Sequence, residues 1–268
     1  MIKLYEESNI QAIADAIRAK NGSTDTYKTS EMAAAISAIE SLNYDKMIAK
    51  TITEVSSNVT TVGVYAFYNC ASLASADFPK AVEIGDYAFY GTTALKNANF
   101  PLVRDIERYA FRGSGIVNAS FPSATYVGTT AFAYSSALKT AKLPKLTEAA
   151  GSLFSNCTAL EIADLGNVTE LGNYTFEKCY SLKAVILRKE DYATLGSNVF
   201  TNCYHLSGTV NSTYNPSGSK DGYIYVPRSK SSAYGGMSGW TNYGFQFRVL
   251  EDYTVDGTIT GALDESKI

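Results

Sequence analysis

Val64-Tyr65-Ala66-Phe67-Tyr68-Asn69-Cys70-Ala71-Ser72-Leu73 decides the fold, because its phenylalanine returns at Phe89, Phe111, Phe132, Phe154, Phe176 and Phe200. The steps are 22, 22, 21, 22, 22 and 24 residues. A small or thiol residue keeps register three places on, at Cys70, Thr92, Ser114, Ser135, Cys157, Cys179 and Cys203. An aliphatic follows about six places on and another apolar residue about eleven on. A period near 22 residues marks a solenoid, in which each unit buries its apolar side chains only against its neighbours.

The second half of each unit has the pattern of a short strand: Leu73-Ala74-Ser75-Ala76-Asp77-Phe78, then Leu95-Lys96-Asn97-Ala98-Asn99-Phe100, with residues 116–121, 138–143, 160–165 and 182–187 in step. The first and last positions are large and apolar, the fourth is Ala or Val, and the third and fifth are mostly polar. Side chains therefore alternate across the middle of the segment, as they do in a brief strand. Pro79, Pro101, Pro122 and Pro144 follow and end the strand by removing a donor. Stacking predicts one parallel sheet with seven phenylalanines inside it.

This pattern resembles the leucine-rich repeats of the BspA type, with IGDYAFYGTTALKNANFP over residues 84–101 as its clearest copy and a match over roughly residues 48–226. Glu107-Arg108-Tyr109 replaces Gly-Asp-Tyr in one coil, Gly166 and Arg188 replace the proline, and the last coil carries an insertion. The resemblance implies a right-handed α/β-type solenoid and an adhesion role.

The expected organisation is an N-terminal helical hairpin over 1–42, the solenoid over 43–226, a C-terminal cap over 227–250 and a tail over 251–268. Ile10, Ile13, Ala14 and Ile17 lie at helical spacing after Ser8-Asn9. Met32, Ala35, Ile36 and Ile39 form a second apolar face after Ser30. IADAIRAKNGSTDTYKTSEMAAAI resembles the short helical modules of phage and prophage tail-associated proteins of Gram-positive bacteria; a plain cap on the open solenoid end accounts for it too. Residues 207–222, rich in Gly, Ser, Asn and Pro, form a looped insertion. Tyr223-Ile224-Tyr225-Val226-Pro227 restores the strand-then-proline signature, and Trp240 belongs to the cap.

A net charge of −3 and a pI near 5.3 argue against nucleic acid, whose recognition needs a basic stripe. No stretch approaches the roughly 18 apolar residues of a membrane span, and residues 1–7 lack an apolar run of signal-peptide length. The four cysteines share one repeat position, which suits small thiols packed inside the turn. Coils about 4.8 Å apart also bring Cys157 and Cys179, or Cys179 and Cys203, within disulfide reach.

His205 is the sole histidine, which excludes two-histidine metal motifs. It occupies a slot that holds Ser72, Ala94, Ala137, Ala159 or Ser181 elsewhere, as a surface turn residue would. Neither a Gly-x-Ser-x-Gly elbow nor a phosphate-binding Gly-rich loop occurs. No catalytic residue, metal ligand or cofactor is expected, and the chain is expected not to be an enzyme.

Two surface rows are candidates for recognition. The outward strand face carries Ser75, Asn97, Asn118 and Thr140 in one row, and Asp77, Asn99, Ser120, Lys142 and Asp164 in the next. The turns carry Tyr65, Tyr87, Tyr109 and Tyr174, with Tyr68, Tyr90, Tyr134, Tyr180 and Tyr204 beside them. Tyrosine suits recognition because it offers a large rigid contact with a polar tip, although the same rings also cover the turn. The expected partner is a protein or glycan on a cell surface, with tail or baseplate proteins bound through residues 1–42. The expected location is a virion or the cell exterior, reached without a visible signal peptide. A secreted or surface bacterial adhesin that binds host matrix protein or glycan is the alternative.

Overall fold

The computed structural model describes residues 50–189, 193–230, 234, 236, 239–240 and 247–250. The chain divides into two compact units, residues 1–52 and 53–268, and nearly all the described residues belong to the second. The hairpin expected over 1–42 and the tail over 251–268 lie outside them, as does much of the cap expected over 227–250.

The regular coils run through a three-residue strand, a turn, a two-residue strand and the phenylalanine turn; in the coil of residues 140–161 a single bridge from Ala149 to Leu171 stands in for the two-residue strand. The longer strands are β1 (Glu54–Ser56), β3 (Ser75–Asp77), β5 (Asn97–Asn99), β7 (Asn118–Ser120), β9 (Thr140–Lys142), β10 (Ile162–Asp164) and β12 (Ala184–Ile186), followed by β14 (Tyr223–Val226) and β15 (Phe247–Val249). The two-residue strands are β2 (Thr61–Val62), β4 (Glu83–Ile84), β6 (Asp105–Ile106), β8 (Tyr126–Val127), β11 (Glu170–Leu171) and β13 (Thr194–Leu195). All ladders are parallel and in repeat register, for example Ala76 opposite Ala98 and Ile84 opposite Ile106.

The single sheet expected from the sequence is in fact divided. On the long-strand side β1-β3-β5 form one sheet and β7-β9-β10-β12-β14-β15 another; the short strands form β2-β4-β6-β8 and β11-β13. The seam between β5 and β7 coincides with the one coil of 21 residues. There Ser114-Gly115-Ile116 stands where the preceding coil has Thr92-Thr93-Ala94-Leu95, so the strand enters one residue early. Gly115 packs so closely on the preceding coil that a β-carbon would collide with the Thr93 carbonyl. Ala98, beside the seam, is half-buried, whereas its equivalents Ala76, Ala119, Ala141 and Ala163 are buried.

The core is a column of rings. Phe67, Phe89, Phe111, Phe132, Phe154, Phe176 and Phe200 stack with centroid spacings of 5.1, 5.1, 5.3, 5.7, 5.5 and 5.4 Å. A second column, Phe78, Phe100 and Phe121, runs beside it. All seven repeated phenylalanines are buried, as the period predicts. Trp240 lies 6.2 Å from Phe200 and donates through Nε1 to Ala193 O at 2.9 Å.

The phenylalanine turn is irregular, yet its backbone is satisfied in an alternating way. Tyr65 and Phe67 N–H donate to Asp86 O and Ala88 O of the next coil at 3.0 and 2.7 Å. The intervening Ala66 and Tyr68 N–H close back on Gly63 O and Tyr65 O. This alternation accompanies left-handed residues two places before and two after each phenylalanine, such as Tyr65, Tyr87, Tyr109, Thr130 and Ser152 before, and Asn69, Gly91 and Gly113 after. Buried backbone groups must find partners, and here each coil finds half of them in its neighbour.

The thiols serve the same end. Cys157, Cys179 and Cys203 are buried and free, and their Sγ atoms donate to the carbonyls of Phe132, Phe154 and Phe176 at 3.0, 3.1 and 3.2 Å. Ser135 Oγ makes the equivalent bond to Phe111 O at 2.9 Å. A small side chain with one donor is what the position selects, which explains the exchange of Cys and Ser. Burial pushes all three thiols well above the ordinary cysteine range.

Residues 207–222 form the insertion expected, but it is ordered around Asn215. That buried side chain donates to Tyr204 O, Thr209 O and Ser219 O at 3.1, 3.3 and 2.9 Å. His205 is not a surface turn residue: it lies on the short helix Tyr204–Ser207, is mostly covered, and its Nδ1 is 2.6 Å from Asp221 Oδ1. Its slot is helical because the insertion displaces the strand to Tyr223–Val226.

Candidate functional site

The strand face carries the expected row residues, in two groups rather than one. Asn97 pairs in register with Ser75, and Asn118 with Thr140, while the seam parts Asn97 from Asn118. Asn99 Nδ2 donates to Asp77 Oδ1 at 2.7 Å, and Thr140 Oγ1 to Asn118 Oδ1 at 2.8 Å. Ser120 stands opposite Lys142, both exposed. At the seam Asp77, Lys96, Asn97 and Asn118 line a shallow depression of about 310 Å³.

Asp164, assigned to the outward row by its position, is buried. Arg188 covers it with a forked pair, Nε to Oδ1 at 3.0 Å and an NH2 nitrogen to Oδ2 at 2.6 Å. From there on the outer face is apolar and covered: Ala184, Ile186, Tyr225 and Leu250 form a buried cluster. Alternation in β12 would leave Ala184 and Ile186 outside; Leu250 and Tyr225 close over them. The open polar face is therefore confined to β1 through β9.

The tyrosine face is built by the left-handed turn position. Tyr65, Tyr87 and Tyr109 hold φ of 59°, 58° and 60°, a conformation that bulky residues adopt only when the surroundings fix it. Identical backbones one coil apart stack the rings, with centroids 4.9 Å apart from Tyr65 to Tyr87 and 4.6 Å from Tyr87 to Tyr109. The Tyr87 phenol, held between them, is pushed up in pKa by desolvation first and then by Tyr109 and Tyr65. Tyr68 and Tyr90 form a parallel stack at 5.1 Å. Arg112 extends it: one NH1 donates to Tyr90 OH at 2.7 Å, and the guanidinium lies 4.5 Å over the ring of Tyr134.

Three of the four tyrosines in the expected row are thus brought into one ladder, while the fourth, Tyr174, stands apart from it and lines a trough with Tyr109 and Tyr134. Sequence reasoning missed Arg112, Thr130, Ser152, Ser155 and Glu177, which join Tyr109, Tyr134 and Tyr174 around a trough of about 350 Å³. The signal was present: Thr130 and Ser152 stand two places before Phe132 and Phe154, where the other coils carry tyrosine or asparagine. Among the described residues no group of three or more His, Cys, Asp or Glu could hold a metal ion, and no helix is long and apolar enough to cross a membrane.

The BspA type leucine-rich repeat region, in six copies, matches residues 23–139 and 104–216, which together span more than half of the chain. The match begins inside the stretch read as a helical hairpin. No curated protein matches. Among solved structures, a leucine-rich repeat protein from Bacteroides ovatus is 22% identical, with a TM-score of 0.49 over 67% of this chain and 56% of that one. The leucine-rich repeat protein of T. pallidum is 28% identical, with a TM-score of 0.47 over 55% of this chain and 71% of that one. One from Eubacterium ventriosum is 16% identical, with a TM-score of 0.42 over 66% of this chain and 60% of that one. The chain thus covers little more than half the length of the Bacteroides ovatus protein.

Proposed function

Since this chain belongs to the BspA type leucine-rich repeat family, we propose that it is a non-enzymatic recognition or adhesion protein. It binds a protein or glycan surface through side chains displayed in register on the coils. The observation that carries the reading is the surface tyrosine ladder, in which Tyr65 is exposed and Tyr87 and Tyr109 are half-buried. A fold needs no ladder of rings outside its core, and the interior is already filled by the phenylalanine columns. Rings fixed by neighbours lose little freedom on binding, which favours their use in contacts. The resemblance of residues 13–36 to tail-associated modules supports mounting on a phage or prophage tail, outside the cell.

The test is binding of the labelled full chain to bacterial cells and to a glycan and matrix-protein array. Exchanging Tyr65, Tyr87 and Tyr109 together for Ser is expected to abolish or strongly weaken the signal while the fold is retained. Undiminished binding by that variant removes the tyrosine face from the proposal. Removal of residues 1–42 is expected to leave target binding and abolish capture of tail proteins; retained capture makes that segment a cap.

A further inference from the structure

Resting on that reading, we propose that the interruption in the tyrosine ladder between Tyr109 and Tyr174 is a binding site for a short neutral oligosaccharide. The left-handed turn position is Tyr65, Tyr87, Tyr109, Thr130, Ser152 and Tyr174 in successive coils. Three rings close the first part of the row by stacking on each other. Over the next two coils a hydroxyl replaces each ring, and the row becomes the trough of about 350 Å³. Its end walls, Tyr109 and Tyr174, are three coil steps apart, about 14 Å at the spacing of hydrogen-bonded strands. The volume lies at the lower end of small-molecule sites.

The chemistry of the lining selects the ligand class. Tyr87 covers one face of Tyr109, Tyr109 also lines the trough, and Tyr174 and Tyr134 are exposed. The electron-rich face of an aromatic ring attracts the weakly positive C–H hydrogens of a sugar ring. Between the walls lie groups that sugar hydroxyls can meet. Ser155 Oγ donates to Glu177 Oε2 at 3.2 Å, and Ser152 Oγ is bonded to no other side chain among the described residues. Arg112 is held in place by Tyr90 and Tyr134, as a preorganised donor should be. One arginine and one glutamate leave the trough without net charge, which favours a neutral sugar over an acidic one.

Thr130 holds φ of 58°, the left-handed geometry of every coil at this position. A β-branched residue suits it less well than the asparagine at Asn198. Its Oγ1 donates to Thr129 O at 2.6 Å, which fixes the hydroxyl as an acceptor for a sugar hydroxyl. A protein loop would bring more bulk than two missing rings make room for.

The test is saturation-transfer NMR and titration calorimetry of the full chain with cellotriose, maltotriose and triacetylchitotriose, all neutral, beside the double variant T130Y/S152Y. That variant refills the row, and tyrosine already holds this φ in four coils, so a melting temperature at or above that of the parent confirms its fold. The expected result is binding of at least one trisaccharide and a loss of affinity of tenfold or more in the variant. Y174A, which removes a wall without filling the trough, is expected to weaken the same trisaccharide. The inference is overturned if none of the three binds, if the double variant binds as the parent does, or if the variant loses binding to a protein target only. Because Tyr65 and Tyr87 lie outside the trough, cell binding that survives T130Y/S152Y but not the Tyr65, Tyr87 and Tyr109 exchange sinks this site and leaves the recognition role standing.

Discussion

Replacing Phe132 by alanine removes the ring at the middle of the phenylalanine column. It stacks on Phe111 at 5.3 Å and Phe154 at 5.7 Å, and tilts against Phe121 at 5.7 Å. No part of it reaches solvent, since its relative exposure is 0%. Deleting a buried phenylalanine costs about 3–5 kcal/mol when the site does not collapse. Collapse is opposed here because inter-coil hydrogen bonds fix the backbone on both sides, Phe111 N–H to Ala131 O and Phe132 N–H to Leu153 O. At about 2–4 °C per kcal/mol for a body of this size, the melting temperature should fall by roughly 10 °C. Phe67 stacks on Phe89 in the next coil and meets Phe78, and it is 7% exposed, so Phe67→Ala should cost less. Thermal and denaturant melts of the two variants make the comparison. An unchanged midpoint for Phe132→Ala, or a larger loss for Phe67→Ala, refutes one-dimensional packing around this column.

Changing Asn97, Asn99 and Asn118 together to Ala should move stability by no more than about 0.5 kcal/mol per site in urea melts, because their side-chain bonds lie on the exposed face; a collapse of the fold would show that the seam depends on them. Glu107 has its pKa raised by desolvation, then by Asp86, Glu83 and Asp105, so its charged form opposes folding. Glu107→Gln should therefore raise the melting temperature at pH 7, and the gain should vanish as pH falls below the ordinary glutamate range, where parent and variant are both neutral; a gain that grows with acid contradicts the cause. In the folded chain Cys157, Cys179 and Cys203 should react slowly with a thiol reagent, and reductant should leave the melting temperature unaltered; a Cys157 to Cys179 bridge found by mass spectrometry overturns this.

The period, the buried phenylalanines and the strand-then-proline rhythm were legible because each rests on one residue type at a fixed spacing. The cysteine row was legible as packing, although the carbonyl that each thiol meets was not. Three features escaped for physical reasons. Strands of two residues, such as Glu83–Ile84, are too short for alternation to register and exist because the neighbouring coil supplies their partners. The seam follows from one missing residue before Ile116, a change that the phenylalanine spacing recorded but whose effect depends on Gly115 meeting Thr93. Asp164 looked like an outward polar residue until Arg188, 24 residues on, covered it. The tyrosine ladder is legible in its spacing, whereas the trough is assembled from unlike side chains of several coils, Arg112, Thr130, Ser152, Ser155 and Glu177, with no residue type repeated from coil to coil.

Tyrosine nitration of the full chain, free and bound to whichever cell surface or glycan it captures, tests the claim that the tyrosine face is the reading surface. Tyr65, Tyr134 and Tyr174 are exposed on that face, and Tyr223, partly exposed on β14 of the long-strand sheet, is the internal control. The expected result is that bound target shields Tyr65, Tyr134 and Tyr174, while Tyr223 is modified at its free rate. Tyr65, Tyr134 and Tyr174 all modified as in the free chain would contradict it.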